Sequence, residues 1–174
     1  MIAAEVYRAD QWHDFFLMVG GGAAALTGLV FVAMSLNLDV VARDATHRYR
    51  AIGTLSGFTA AFMICALSLL GGQDHRAVGA EWLVVSTVAG AIYVYGYVQA
   101  IRVGESAVGL RPHRLIGGTA SYVAQIIGAI VLIAGHIAGL YLASISLIAY
   151  FAFMISGAWL LLIGIHEAKG GTDP

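Results

Sequence analysis

The polar side chains inside the long apolar runs of this sequence are hydroxyls and amides. The candidates for lining a pore or joining helices are Thr27, Ser35, Asn37, Gln99, Ser121 and Gln125. A hydroxyl in an apolar helix usually donates to a carbonyl of its own helix, whereas a buried amide needs a partner on another helix or water. We therefore expect Gln125, near the middle of its run, either to join two helices or to line a pore. Asn37, at the end of its run, is equally suited to cap a helix.

Charged side chains are missing from the five apolar runs, and this absence limits the chemistry to be considered. Proton-coupled transporters usually carry ionisable groups at membrane depth. The runs also lack paired aspartates, an H-E-x-x-H motif and a Ser–His pair, the usual groups for hydrolysis within a membrane. We expect no catalytic residues and no enzymatic activity.

Histidine is the recurring residue type with metal-binding chemistry. The weak metal candidates, all expected on the outer side, are His13, His75 and His136. Each comes from a different segment, and no metal-site spacing connects them. Because Cys65 is the single cysteine, neither an intrachain disulfide nor a cysteine cluster can form. We expect no metal site, no haem and no other cofactor.

The composition indicates a chain whose outer surface faces lipid. Apolar residues make up 60% of the 174 residues and charged residues 11%, against roughly 45–50% and 25% in soluble domains. A soluble protein needs more charge than this to cover its surface. The net charge is −1 and no basic run is present, so nucleic-acid binding has no electrostatic basis.

The spacing of the charged residues predicts a single all-α transmembrane domain over residues 1–174. The five predicted spans are 15–38, 52–70, 82–101, 115–135 and 142–165. The last two lie in one uncharged stretch, which at about 1.5 Å per residue is too long for one crossing and must reverse, most simply at residues 135–139. Residues 2–14 predict a short amphipathic helix at the membrane interface.

The basic residues predict the orientation, because short cytoplasmic loops carry an excess of Lys and Arg. In a five-span arrangement all nine basic residues except Arg8 and Arg76 fall on one side. The arginines expected to set the topology or contact lipid headgroups are Arg43, Arg48, Arg50, Arg102, Arg111 and Arg114. Residues 12–16 and 28–37 resemble the first span of small bacterial membrane proteins. We expect a bacterial inner-membrane protein with its N-terminus outside and its C-terminus in the cytoplasm.

Small residues recur at helical spacing in three spans and predict close helix packing. The glycines expected at helix contacts are Gly21, Gly28, Gly53, Gly57, Gly117 and Gly128. Such contacts can form within one chain or between subunits, so we expect self-association or membership of a larger membrane complex. Aromatic belts are expected at both interfaces, with Tyr49, Tyr97 and Tyr122 towards the inner one.

Three functions are compatible with this chain. The first is a homo-oligomeric ion channel or pore, because hydroxyls and amides can replace part of an ion's hydration shell. The second is a non-catalytic accessory or assembly subunit of a larger membrane protein complex, which would dock through its small-residue faces. The third is a small-solute or metal carrier that uses the outer histidines and carboxylates.

Overall fold

Helices make up nearly all of the described part of the chain, a computed structural model that covers residues 7–43, 45–103 and 112–170. They are α1 (Ala9–Ser35), α2 (Leu38–Arg43), α3 (Ala45–Ser68), α4 (His75–Val103), α5 (Pro112–Ile133) and α6 (Ile137–Gly170). All except the six-residue α2 are long and apolar enough to cross a bilayer. The prediction of an all-α chain with five membrane-length helices is therefore confirmed.

The amphipathic helix expected at residues 2–14 does not stand apart from the first span where the chain is described. Residues 1–6 lie outside the described residues, and Tyr7 and Arg8 precede the first helix. Residues 9–14 are the first turns of α1, which continues without a break to Ser35. The first long helix thus begins six residues earlier than the predicted span.

Local signals in the sequence explain where the helices begin and end. The Asp74 carboxylate accepts a hydrogen bond of 2.8 Å from the backbone N–H of Ala77, which caps the start of α4. Pro112 opens α5, a position where its missing N–H costs nothing. Gly135 follows the end of α5 with a φ of +86°, in the left-handed region that favours glycine. The reversal between α5 and α6 therefore falls at residues 134–136, which overlaps the first two residues of the predicted segment, whereas residues 137–139 already belong to α6.

The helices α3, α4, α5 and α6 form an up-and-down bundle in which each packs against the next and α6 closes back on α3. Helix α1 lies outside this bundle, mainly against α3 and with a smaller contact to α6. The bundle is tight because helices meet where they carry glycine. A Cβ at Gly128 of α5 would lie 2.8 Å from the backbone nitrogen of Ala143 on α6. At this point the two helices pack backbone against backbone.

The alternating helix directions give the bundle two chemically different ends. The aromatic end holds the beginning of α1 and the loops between α3 and α4 and between α5 and α6. There the Trp12 ring lies 5.2 Å from that of Tyr141, and the Phe16 ring 5.8 Å from that of Trp82. The opposite end, here called the arginine end, holds α2, the beginning of α3 with Arg48 and the end of α4 with Arg102.

Candidate functional site

Gln125 joins two helices in the middle of the bundle. Its side chain is buried, with 3% of its surface exposed, and its Oε1 accepts a hydrogen bond of 3.1 Å from the hydroxyl of Ser86 on α4. The Nε2 of the same amide is buried and has no partner among the described residues. Of the two roles expected for Gln125, this contact is the interhelical one.

Three tyrosines from α4, α5 and α6 meet in a cluster that the sequence pattern did not predict, and one of them lies a helical turn before Gln125. The hydroxyls of Tyr122 and Tyr150 hydrogen-bond to each other, and both rings are buried. The Tyr93 ring packs 5.7 Å from that of Tyr122. Glycines make the room: a Cβ at Gly57 would overlap the Tyr150 hydroxyl, and one at Gly118 would overlap Tyr93. The three rings thus pack together where α4, α5 and α6 meet.

The expectation that Tyr122 lies towards the inner interface is therefore wrong. Tyr122 faces into the bundle because Tyr150 on α6 supplies the hydrogen bond that water would give at an interface. Tyr150 lies in an uncharged run, and nothing in its sequence neighbourhood predicts that it is buried. The feature that could have predicted the Tyr122–Tyr150 pair is the glycine on a neighbouring helix that makes room for each ring.

A second polar cluster lies at the aromatic end. The hydroxyl of Tyr7 donates to the backbone carbonyl of Ser68, and the indole of Trp82 donates to the Ser68 hydroxyl over 2.8 Å. Burial raises the pKa of Tyr7 to about 12, and the nearby negative charge of Glu81 acts in the same direction. The segment before α1 is thus attached to the end of α3 through a neutral, hydrogen-bonded phenol.

Glu81 is a charged residue that sequence reasoning placed outside the spans. Because α4 begins at His75 rather than near residue 82, Glu81 lies in the second turn of this long apolar helix. Its Oε1 accepts a hydrogen bond of 2.7 Å from Nε2 of Gln73 in the loop before α4. The expectation that every carboxylate lies outside the membrane-length helices is wrong for this residue, and also for Asp10 and Asp14 in the first turns of α1 and Glu167 near the end of α6.

Most of the other predicted polar residues bond within their own helix turn. Thr27 donates to the carbonyl of Ala23 over 2.7 Å, and Ser121 donates to that of Gly117 over 2.9 Å. The remaining local bonds, both near the end of α1, run from Ser35 to Phe31 and from Asn37 to Ala33. Gln99 is half-buried near the end of α4. These six candidates lie on three helices and in the turn after α1, and the structure does not gather them along one path.

The six glycines predicted at helix contacts fall into two groups. Gly57 and Gly128 lie against atoms of neighbouring helices, and a Cβ at Gly117 or Gly53 would meet a ring atom at 3.4 Å and 3.8 Å, respectively. At Gly21 and Gly28 no described atom lies within 4 Å of a Cβ, and both positions are exposed on α1. The face of α1 that carries Gly21 and Gly28 therefore has no neighbouring helix in the described part of the single chain.

The predicted histidines do not converge in the structure. His13 and His136 are exposed, and His75 is half-buried with its Nε2 3.6 Å from a Cβ built at Gly135. Among the residues that the structure describes, no three His, Cys, Asp or Glu side chains are grouped as metal ligands.

The arginines expected to set the topology are described only in part. The Arg48 guanidinium lies 5.6 Å from the centre of the Tyr49 ring, and Arg102 is exposed. The side chains of Arg43, Arg50 and Arg114, and all of Arg111, lie outside the described residues. The helix ends that carry Arg48 and Arg102 share the arginine end, as an arrangement of five alternating helices requires.

The chain has no detected relatives that would assign a role to these clusters. Comparisons with protein-family models, with curated proteins and with solved structures found no significant match.

Proposed function

We propose that this chain is a multi-pass protein of the bacterial inner membrane, with its N-terminus outside and its C-terminus in the cytoplasm. Five helices of membrane-spanning length support a multi-pass membrane protein. The orientation rests on the basic residues, because the positively charged loops of inner-membrane proteins stay in the cytoplasm. On this proposal the arginine end is cytoplasmic and the aromatic end is external.

We further propose that the chain forms a homo-oligomeric ion channel in which α1 contacts the neighbouring subunit. The observation that carries this proposal is the open face of α1. Gly21, Gly28 and Ser35 follow one another at seven-residue intervals, so they line one side of the helix. All three are exposed, and α1 lies on the outside of the α3–α6 bundle.

Glycine on that face needs an explanation because it lowers the stability of a helix by about 1 kcal/mol relative to alanine. Lipid chains do not require it, since they adapt to side chains of any size. A neighbouring helix does require it, because small residues let two backbones approach closely. Within the chain, the comparable Gly57 and Gly128 lie directly against another helix. A second copy of α1 would give Gly21 and Gly28 the same kind of contact.

We place the ion path between subunits rather than through one bundle. The interior of the bundle is filled with buried rings and aliphatic side chains, among them Phe58, Tyr122, Leu147 and Tyr150. On this proposal Gly21 and Gly28 form the close contact, and the exposed hydroxyl of Ser35, two turns beyond Gly28 near the cytoplasmic end of α1, lies past that contact and faces permeating ions. Gln125, inside the bundle, then serves stability rather than conduction.

Disulfide cross-linking in native membranes tests the subunit contact. In a Cys65→Ala background, Gly28→Cys is expected to give a cross-linked dimer of this chain upon oxidation. The matched control is Ala91→Cys, which is exposed on α4 away from α1 and should give none. A cross-link from position 28 to a different protein would support the accessory-subunit hypothesis instead. Absence of any cross-link at position 28 would contradict both.

Ion flux through liposomes tests conduction. Liposomes with the purified chain are expected to pass ions, and Ser35→Phe should reduce the flux severalfold because the bulky ring narrows the path. Gln125→Leu should leave the flux per folded protein unchanged, because this side chain lies inside the bundle. Flux no greater than that of empty liposomes would refute the channel.

A further inference from the structure

Gln73 in the loop between α3 and α4 is hydrogen-bonded to Glu81 in the second turn of α4, and one oxygen of each side chain is left without a donor. Gln73 Nε2 donates to Glu81 Oε1 over 2.7 Å. The other two oxygens, Gln73 Oε1 and Glu81 Oε2, are buried and have no hydrogen-bond partner within the described residues. Both atoms are acceptors, so they cannot satisfy each other unless a proton or a cation lies between or beside them.

The orientation of the Gln73 amide follows from the same chemistry. If the amide were reversed, its oxygen would face a carboxylate oxygen, and two acceptors repel each other. The unpaired atom of Gln73 is therefore its oxygen. Gln73 Oε1 is bonded to the same carbon as the donor Nε2, and Glu81 Oε2 is bonded to the same carbon as the acceptor Oε1.

The groups near Glu81 do not neutralise its charge in the described part of the chain. The ion pair found there joins Arg8 to Asp10 at 3.2 Å, on two exposed side chains. The nearby donors Tyr7 and Trp82 both point to Ser68 instead. Glu81 is half-buried, and a partly desolvated carboxylate is stabilised by a nearby counter-charge.

We propose that Gln73 Oε1 and Glu81 Oε2 bind a hard, oxygen-ligated cation of the Ca²⁺ type at the aromatic end. Ca²⁺ accepts carboxylate and amide oxygens in irregular geometry and takes its remaining ligands from water, whereas Mg²⁺ demands a near-octahedral site and loses water reluctantly. With a single charged ligand, the site corresponds to weak Ca²⁺ sites, with a dissociation constant of about 10⁻⁴–10⁻³ M. The site forms within one subunit and does not depend on the proposed channel.

Thermal unfolding of the purified full chain in detergent at neutral pH tests this proposal. CaCl₂ is titrated against choline chloride at equal ionic strength. The Tm of the wild type is expected to rise and saturate with Ca²⁺, whereas that of Glu81→Gln should not respond. This variant keeps the size of the side chain and a hydrogen bond to Gln73 while it removes the charge. Asp14→Asn, which alters an exposed carboxylate at the same end, is the matched control and should respond like the wild type.

A second variant keeps the test decisive if Glu81→Gln fails to fold. Gln73→Ala retains the carboxylate and is expected to weaken the apparent Ca²⁺ affinity roughly tenfold or more. A wild-type Tm that does not change with Ca²⁺ would overturn the proposal. A full response in Glu81→Gln, or an unchanged affinity in Gln73→Ala, would overturn it as well. No ion flux is measured, so failure of the channel proposal would not change these outcomes.

Discussion

The contact between α5 and α6 at Gly128 makes a sharp prediction for Gly128→Ala. The new Cβ would lie 2.8 Å from both the Cβ and the backbone nitrogen of Ala143, and 2.9 Å from the carbonyl oxygen of Gly139. Unstrained carbon contacts need about 3.5–4.0 Å, so the methyl group is roughly an ångström too close. Its neighbours are backbone atoms or a Cβ, which cannot rotate away. The two helices must therefore move apart.

Gly53→Ala is the matched control for this variant. The nearest atom to a Cβ at Gly53 is Tyr93 Cδ2 at 3.8 Å, an ordinary van der Waals distance. Both variants gain the same helix propensity, about 0.8–1.0 kcal/mol for alanine over glycine. This gain cancels in the comparison. The difference between the two variants therefore isolates the steric cost, which is about 1–3 kcal/mol for an overpacked site.

Reversible unfolding in mixed detergent micelles, followed by circular dichroism, measures this difference. We expect Gly53→Ala to be as stable as the wild type or more stable, and Gly128→Ala to be less stable than Gly53→Ala by about 1–3 kcal/mol. Equal free energies of unfolding for the two variants, within about 0.5 kcal/mol, would refute the conclusion that α5 and α6 meet backbone against backbone.

Further predictions concern the two polar clusters. Ser86→Ala leaves the Gln125 oxygen buried without a donor and should lower the free energy of unfolding by about 1–3 kcal/mol. Adding Gln125→Leu to this variant should restore part of the loss. A double variant whose destabilisation equals the sum of the two single variants would contradict this. Because the Tyr7 pKa is raised to about 12, the stability from the neutral phenol is complete below pH 10 and lost as the pH rises through 12. A phenolate absorbance titration should show a high-pH step whose amplitude falls by one tyrosine in Tyr7→Phe, and an unaltered titration in that variant would disprove the assignment. Trp82→Phe removes the hydrogen bond to the Ser68 hydroxyl and should cost about 0.5–1.5 kcal/mol in the same unfolding assay; unchanged stability would show that this bond contributes nothing.

The helices could be predicted from the sequence because their signals are local. Charged residues at regular intervals mark the five apolar runs, and Gly135 marks the reversal inside the longest uncharged stretch. Capping and φ preferences depend on a few neighbouring residues, so a single sequence reveals them. The beginnings of the helices were less certain. Asp74 starts α4 earlier than the apolar run suggests, which brings Glu81 into the helix.

The contacts between helices could not be predicted because they depend on rotation of each helix about its axis. Gly28 and Gly128 look alike in the sequence, yet one is open and the other lies against α6. Tyr122 resembles an interfacial tyrosine until Tyr150 is placed opposite it. Gln125 was recognised as a buried amide, but its partner Ser86 is 39 positions away. The spacing of residues within one apolar run does not show which residues of different helices come into contact.

The outlying position of α1 bears on how the chain would enter a bilayer during synthesis. Because α1 precedes α3 in the chain, on the proposed membrane location it would lie in lipid before α3, its principal neighbour, has been made. Its composition suits this delay, since its most apolar 18-residue segment has a higher mean hydropathy than the corresponding segment of any other long helix, and it carries no charge between Asp14 and Asp39. Helix α4 brings the Glu81 carboxylate only after α3 is in place. Translation thus produces α1, which is apolar enough to lie in lipid alone, before α4, whose carboxylate requires neighbouring helices.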